Sequence, residues 1–183
     1  LLSVEHARRW YPHYLKAREI IRSGEIGPLH TIVCEMFGPR AMLFRNGTHM
    51  LDSVCFFAEA DPQWVVAELE EGFDGFTEYR EDAGKGAEDD PYASAYLRFD
   101  NGVRAFFNLR KADFRNHGFA LTCEGGRIEV SNTSARMIRG TSGESSEVLP
   151  GKYMMEAKGA IVAELVHVLE NGGELVSPGR GAR

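Results

Sequence analysis

Arg45-Asn46-Gly47-Thr48-His49-Met50-Leu51-Asp52-Ser53-Val54-Cys55-Phe56-Phe57-Ala58-Glu59 reads as a loop running into a buried helix with one polar stripe. Asn46 or Thr48 can start that helix by accepting hydrogen bonds from the free backbone N–H groups of its first turn. Asp61-Pro62 ends it, because the residue before a proline is pushed out of the α region. At roughly 100° per residue, Met50, Leu51, Val54, Cys55, Phe57 and Ala58 cover most of the circumference. His49, Asp52 and Ser53 share the face that is left. A helix that is apolar nearly all round is buried, so its polar side chains must be hydrogen-bonded or line a pocket.

Two readings of His49 stand at this point. In one it is a core histidine satisfied by protein atoms. The other rests on position: His49 lies in the first turn, where the positive end of the helix dipole disfavours the imidazolium. A neutral imidazole there can exchange a proton with a substrate hydroxyl. One histidine and one carboxylate fall short of the ligand set of a zinc site, so no metal is expected. Asn46-Gly47-Thr48 matches a glycosylation sequon, expected to be a chance match since nothing at the start of the sequence resembles a signal peptide.

The pattern Gly47-Thr48-His49-Met50-Leu51-Asp52, a G-x-H-x-x-D, resembles the substrate-domain motif of the glucose–fructose oxidoreductase/inositol dehydrogenase (Gfo/Idh/MocA) family. The order of segments is similar as well: a helix ending in Ser23-Gly24-Glu25-Ile26-Gly27-Pro28, a strand, the motif helix, then hairpins. The resemblance implies an α+β domain, an open and largely antiparallel sheet with helices on one face. It also implies a preceding Rossmann domain that holds NAD or NADP, and an enzyme that moves a hydride between nicotinamide and the carbon bearing a hydroxyl of a sugar or cyclitol. His49 would be the acid/base and Asp52 an orienting group, with Arg45, Asn46 and Thr48 on the substrate. His6 and Arg9 would lie near the nicotinamide end of the cofactor. The family's lysine, in its E-K-P motif, belongs to the other domain and has no counterpart here.

Arg45 departs from the family pattern, since many members carry an aspartate four residues before the histidine. An arginine there lowers the histidine pKa if the two approach within ~4–6 Å. Guanidinium also suits a bidentate grip on a carboxylate or phosphate, so an anionic group near the reacting carbon is expected. The other reading has Arg45 in solvent or paired with an acid of the 71–91 segment.

Composition narrows the function classes. A net charge of −6 argues against a nucleic-acid surface, which needs a basic patch. No apolar run approaches the roughly 20 residues of a membrane span. Cys34, Cys55 and Cys123 lie scattered in apolar segments without metal-ligand spacing, which fits free thiols in a reducing cytoplasm. The 183 residues suffice for one well-buried domain. Leu1-Leu2-Ser3-Val4 reads like the end of a strand and Ser177 to Arg183 like an interrupted loop, so the chain is expected to be a fragment, residues 1–183 forming a substrate-binding and oligomerisation domain that is inactive alone. No G-x-G-x-x-G opens a helix after a strand, so no dinucleotide should be held by these residues themselves.

Outward from the motif, Pro12 opens a helix over 12–23 that Gly24 stops. His6, Arg8 and Arg9 before it read most simply as a solvated basic approach. Leu29 to Phe37 alternates, with Ile32, Cys34 and Met36 on one face; Trp64 to Glu70 is a second strand, and strand, helix and strand in this order allow a parallel pairing. Residues 71–91 form a long acidic loop, either a surface excursion or a lid. Asn101-Gly102 joins strands 92–99 and 103–109 in a hairpin. Gly125-Gly126 joins 118–124 and 127–131, and 134–139 adds one more strand. The Gly/Ser-rich segment 140–151 reads as a loop before a helix over 153–170, on whose surface His167 lies. The face bearing Arg104, Phe106, Asn108 and Arg110 is mixed in character, as association surfaces are, so a homo-oligomer through the sheet is expected, with a small-molecule substrate as the other partner.

Two alternatives share this architecture. A binding or sensor protein without turnover is favoured by Arg45 in place of the acid. A structural oligomerisation module would leave His49 satisfied by protein atoms with no cleft beside it.

Overall fold

A computed structural model describes residues 2–39, 43–73, 90–140, 142, 144–150 and 155–179. Its elements are α1 (Pro12–Ser23), β1 (Leu29–Gly38), α2 (Thr48–Ala58), β2 (Pro62–Leu69), β3 (Ala93–Phe99), β4 (Arg104–Lys111), β5 (Asn116–Cys123), β6 (Gly126–Ser131), β7 (Ser134–Arg139), β8 (Glu144–Pro150) and α3 (Met155–Asn171). A 3-10 turn, Ala7–Trp10, precedes α1, and a π-helical turn, Leu43–Gly47, runs into α2.

Among the described residues the strands form one open eight-stranded sheet in the order β2-β3-β4-β1-β5-β6-β7-β8. β1 pairs parallel with β4, and every other pairing is antiparallel. Alternation sets the two faces. Ile32 and Cys34 of β1 stand opposite Ala105 and Phe107 of β4 and Leu121 and Phe119 of β5, all buried. Fully burying an aliphatic or aromatic side chain of this kind stabilises by about 1.5–3 kcal/mol. At the β5–β6 turn a Cβ on Gly126 would stand 2.6 Å from the Ile138 carbonyl oxygen, so only glycine fits beside β7 there.

The helical layer covers that inner face. Pro12 occupies the start of α1, and Gly24 closes it in the left-handed region at φ 70°. Tyr14 of α1 and Phe57 of α2 stack at 5.5 Å, and Phe57 meets Phe119 of β5 at the same distance. α3 joins the layer through Ala160 and Ile161, which pack against the core. α2 ends at Glu59, in the left-handed region at φ 51°. Asn101 ties the hairpin turn to that end, its Nδ2 donating to the Ala58 carbonyl at 2.9 Å.

Four expectations are corrected. α2 has no side-chain cap from Asn46 or Thr48; the π-helical turn feeds it directly, and Thr48 Oγ1 donates back to the Arg45 carbonyl. The parallel partner of β1 is β4, not the strand after the motif helix: β2 lies at the sheet edge with Val65 and Val66 exposed. Its side chains lack the burial that a central place demands. Residues 144–150 are a strand, β8, rather than part of a loop. The edge of β7 supplies backbone partners from Arg139↔Glu144 to Ser134↔Pro150, and ladder bonds are blind to the polarity of the side chains. The fourth concerns the solvated basic approach, taken up with the site. Most of the 71–91 segment, and with it the lid reading, lies outside the described residues, as does the start of the helix expected at 153.

Phe57 is fully buried at the junction of both helices and the sheet. Phe57→Ala should cost about 3–5 kcal/mol, read as a lowered urea midpoint with an unchanged slope.

Candidate functional site

The site is built where the 3-10 turn crosses the start of α2. A tight turn of this kind fans successive side chains apart, and here it points His6, Arg8 and Arg9 into the protein rather than into solvent. Arg9 Nε donates to Asp52 Oδ2 at 2.9 Å and Oδ1 at 3.1 Å, its NH2 donates to Oδ1 at 2.7 Å, and its NH1 donates to the Val176 carbonyl at 2.6 Å. His6 Nδ1 lies 2.5 Å from Asp52 Oδ1. The side chains of His6 and Arg9 are each 13% exposed and that of Asp52 2%. The expected solvated approach is therefore overturned, because a buried carboxylate draws the Arg9 guanidinium and the His6 ring inward. Burial opposes the charge on Asp52, but hydrogen bonds from His6 and Arg9 outweigh it and hold the carboxyl below its usual range.

Asp52 thus serves the residues before α1 rather than His49, although the two share a helix face. His49 is half-buried, its ring edge-on to that of His6 with centroids 5.5 Å apart. Its Nδ1 is buried with no hydrogen-bond partner among the described residues. Its pKa is lowered to about 4 by burial first, then by the charges of Arg8 and His6. The direction agrees with the sequence expectation, and burial and neighbouring charge are its causes.

Two more residues contribute: Arg8, which the sequence reading set mainly in the solvated approach, and His117, which escaped it. Arg8 NH2 donates to His117 Nε2 at 2.7 Å, which leaves the proton of His117 on Nδ1. Burial, then the Arg8 charge, pushes the His117 pKa down to about 3. His117 stands opposite Met36 on the inner face of β5. The signal was alternation, since 117, 119, 121 and 123 share a face, but a strand started at Gly118 leaves the histidine out.

A cavity of about 390 Å³ opens beside this cluster, within the range of small-molecule sites. Arg8 and His117 line it together with Arg45, Asn46, Arg115 and Asn132. Thr48 and His49 are not on its wall; Thr48 is exposed, and Arg8 carries the electrostatic link from the cavity to His49. Among the described residues no cluster of three or more His, Cys, Asp or Glu could hold a metal. Among the described residues no glycine loop joins a strand to a helix as a pyrophosphate cradle would require, and Arg9 and His6 spend donors within the chain.

The chain belongs to the GFO/IDH/MocA C-terminal domain family, whose profile matches residues 14–133. No curated protein sequence matches it. Among solved structures it is similar to UDP-N-acetylglucosamine 3-dehydrogenase GnnA from Acidithiobacillus ferrooxidans, with a TM-score of 0.74 and 16% identity over 100% of this chain and 57% of that one. It is also similar to the aldose-aldose oxidoreductase from Caulobacter crescentus complexed with glycerol (TM-score 0.75, 16% identity, 99% of this chain, 57% of that one). A third is the Synechocystis biliverdin reductase in complex with biliverdin and NADP+ (TM-score 0.71, 16% identity, 98% of this chain, 58% of that one). At these identities the likeness shows the fold, and the chain spans somewhat over half the length of each structure.

The depressed histidines set a pH dependence. Their unfolded pKa is near 6.5, so below it the unfolded chain binds protons that the folded chain refuses. Stability should therefore fall as pH drops from about 6.5 towards 4, and Asp52 adds a further loss as pH passes below its unfolded value of 3.8. Urea midpoints across this range check it, and His117→Gln should flatten the slope above pH 4.

Proposed function

We propose that this chain is the substrate-binding part of an NAD(P)-dependent oxidoreductase acting on the CH–OH group of a sugar, cyclitol or related polyol. Membership of the family supports the reaction class. The names of the similar structures, a UDP-N-acetylglucosamine dehydrogenase and an aldose-aldose oxidoreductase among them, support the substrate class. The single observation that carries the reading is His49: a half-buried imidazole, neutral at pH 7, whose buried Nδ1 has no partner among the described residues and which feels the charge of Arg8 on the wall of a cavity of substrate size. The nicotinamide, held mainly by another domain, supplies the hydride chemistry. The residues here bind and orient the hydroxyl-bearing carbon, and His49 takes or gives the hydroxyl proton. Asp52, locked by Arg9 and His6, keeps the opening turn against α2 so that Arg8 and His49 stay in register. Three free thiols fit a reducing cytoplasm, and among the described residues no helix is long and apolar enough to cross a membrane.

In the intact oxidoreductase, His49→Ala should lower kcat by roughly 10²–10⁴-fold, the usual worth of a positioned acid/base. Nicotinamide absorbance with a panel of polyols and sugars checks this, and near-wild-type turnover would remove His49 from the mechanism. A ligand-binding module without turnover is the second reading. It is favoured by the engagement of Asp52 away from His49, and failure of every nicotinamide–polyol pair to turn over would select it.

We propose further that two copies associate through the open face of the sheet. Trp64, Tyr96 and Phe106 form an aromatic run across β2, β3 and β4, with ring centroids 5.3 and 5.1 Å apart. Phe106 is 47% exposed and Trp64 49%. Phe106→Glu should convert the oligomer to monomer by size exclusion with light scattering at micromolar protein. A wild-type monomer under those conditions would contradict the assignment.

A further inference from the structure

The wall of the 390 Å³ cavity brings together guanidinium groups from three separate places in the chain. Arg8 comes from the 3-10 turn, Arg45 from the π-helical turn and Arg115 from the connection between β4 and β5. Asn46, Asn116 and Asn132 stand among them, and no Asp or Glu is found among the described lining residues. Composition does not produce this by default, since acidic residues outnumber Lys and Arg by 27 to 21. Several other arginines meet carboxylates: Arg9 meets Asp52, Arg18 meets Glu59, and both Arg127 and Arg136 meet Glu129.

Arg8 is half-buried, it donates to the neutral ring of His117, and its Nε is buried without a partner among the described residues. No carboxylate among the described residues offsets its charge. A buried cation without a counter-charge is costly, and planar guanidiniums match the oxygens of a carboxylate or phosphate in paired hydrogen bonds. Arg115, exposed and without an ion pair among the described residues, offers a second such group at the same cavity.

We propose that this cavity receives the anionic group of the substrate, a sugar carboxylate or a sugar phosphate, with Arg8 and Arg115 reading its charge and Arg45 completing the wall. The assignment rests on the reading that the cavity is the substrate site. It has a second consequence. Arg8 and His6 oppose a proton on His49, and Asp52 favours one. An anion seated against Arg8 cancels part of that opposition, so binding the charged substrate also makes His49 the better proton acceptor. An uncharged sugar leaves the imidazole as it was.

The test titrates the chain with glucuronate, glucose 6-phosphate and glucose by calorimetry at low salt, for wild type, Arg115→Gln and Arg8→Gln. The expected result is binding of at least one anionic sugar about tenfold or more tighter than glucose. Each substitution should weaken the anionic sugars more than glucose and so remove most of that preference, and inorganic phosphate should compete. Arg115→Gln lies on an exposed side chain and keeps the test open if Arg8→Gln unfolds. Whether the acid or the phosphate binds tighter names the group. By NMR, the His49 imidazole should titrate at higher pH with the tighter anion bound than with glucose. Equal affinity for glucose, no binding of either anion, or an Arg115→Gln effect equal on charged and neutral sugars overturns the proposal. Turnover of neutral polyols without preference for anionic ones would overturn it and leave the oxidoreductase reading intact. Selective anion binding with no nicotinamide-linked turnover would support it and remove that reading instead.

Discussion

The buried carboxylate of Asp52 is the constraint on which the site depends. A charge 2% exposed on a core helix is tolerable only if its lone pairs are filled, and Arg9 and His6 fill them. The same guanidinium reaches the carbonyl of Val176, so one buried ion joins the opening turn, the motif helix and the segment after α3. The ends of the chain then run side by side, with Val4 N donating to the Ser177 carbonyl at 3.1 Å and Gly179 N to the Leu2 carbonyl at 2.8 Å. Asp52 thereby ties the turn that presents Arg8 to the motif helix, beside the buried Trp10 of the same turn.

Arg8 dominates the electrostatics that result. It stands between two histidines and lowers the pKa of both, each already disfavoured as a cation by burial. Two neutral imidazoles beside a guanidinium that has no carboxylate partner among the described residues hold positive charge in one place and proton-accepting nitrogen in another. The acid/base role proposed for His49 would use this separation, with a hydroxyl at the nitrogen and the charge left for another part of the ligand. The sheet supplies the rigidity: β5 carries His117 from a strand paired on both sides, and β1 and β5 bring the inner wall against α2.

Much of the fold was legible in the residues. Period-two alternation in β1, β4 and β5, Asn-Gly at the first hairpin, Pro12 and Gly24 bounding α1, and the apolar wheel of α2 are local signals, and local backbone and side-chain physics honours them. The family pattern around His49 was legible for the same reason, as it lies in six consecutive residues. What failed was non-local. β2 is a good strand by composition, yet its place at the edge was decided by the β3–β4 hairpin occupying the position beside β1. β8 is polar and Ser-rich, and only the free edge of β7 made it a strand.

The site divides along the same line. The sequence by itself determined that a histidine and an aspartate share one face of a buried helix, and that arginine stands where an acid is usual. It could not determine that Asp52 belongs to Arg9 and His6, forty-three and forty-six positions away, or that Arg8 would meet His117 across 109 positions. Spacing along a helix says which side chains are neighbours on that helix, whereas a buried charge is satisfied by whatever the fold brings nearest. Tertiary packing therefore reassigned the partner of Asp52, left Arg8 without a carboxylate among the described residues, and lowered the pKa of His49 through burial and neighbouring charge.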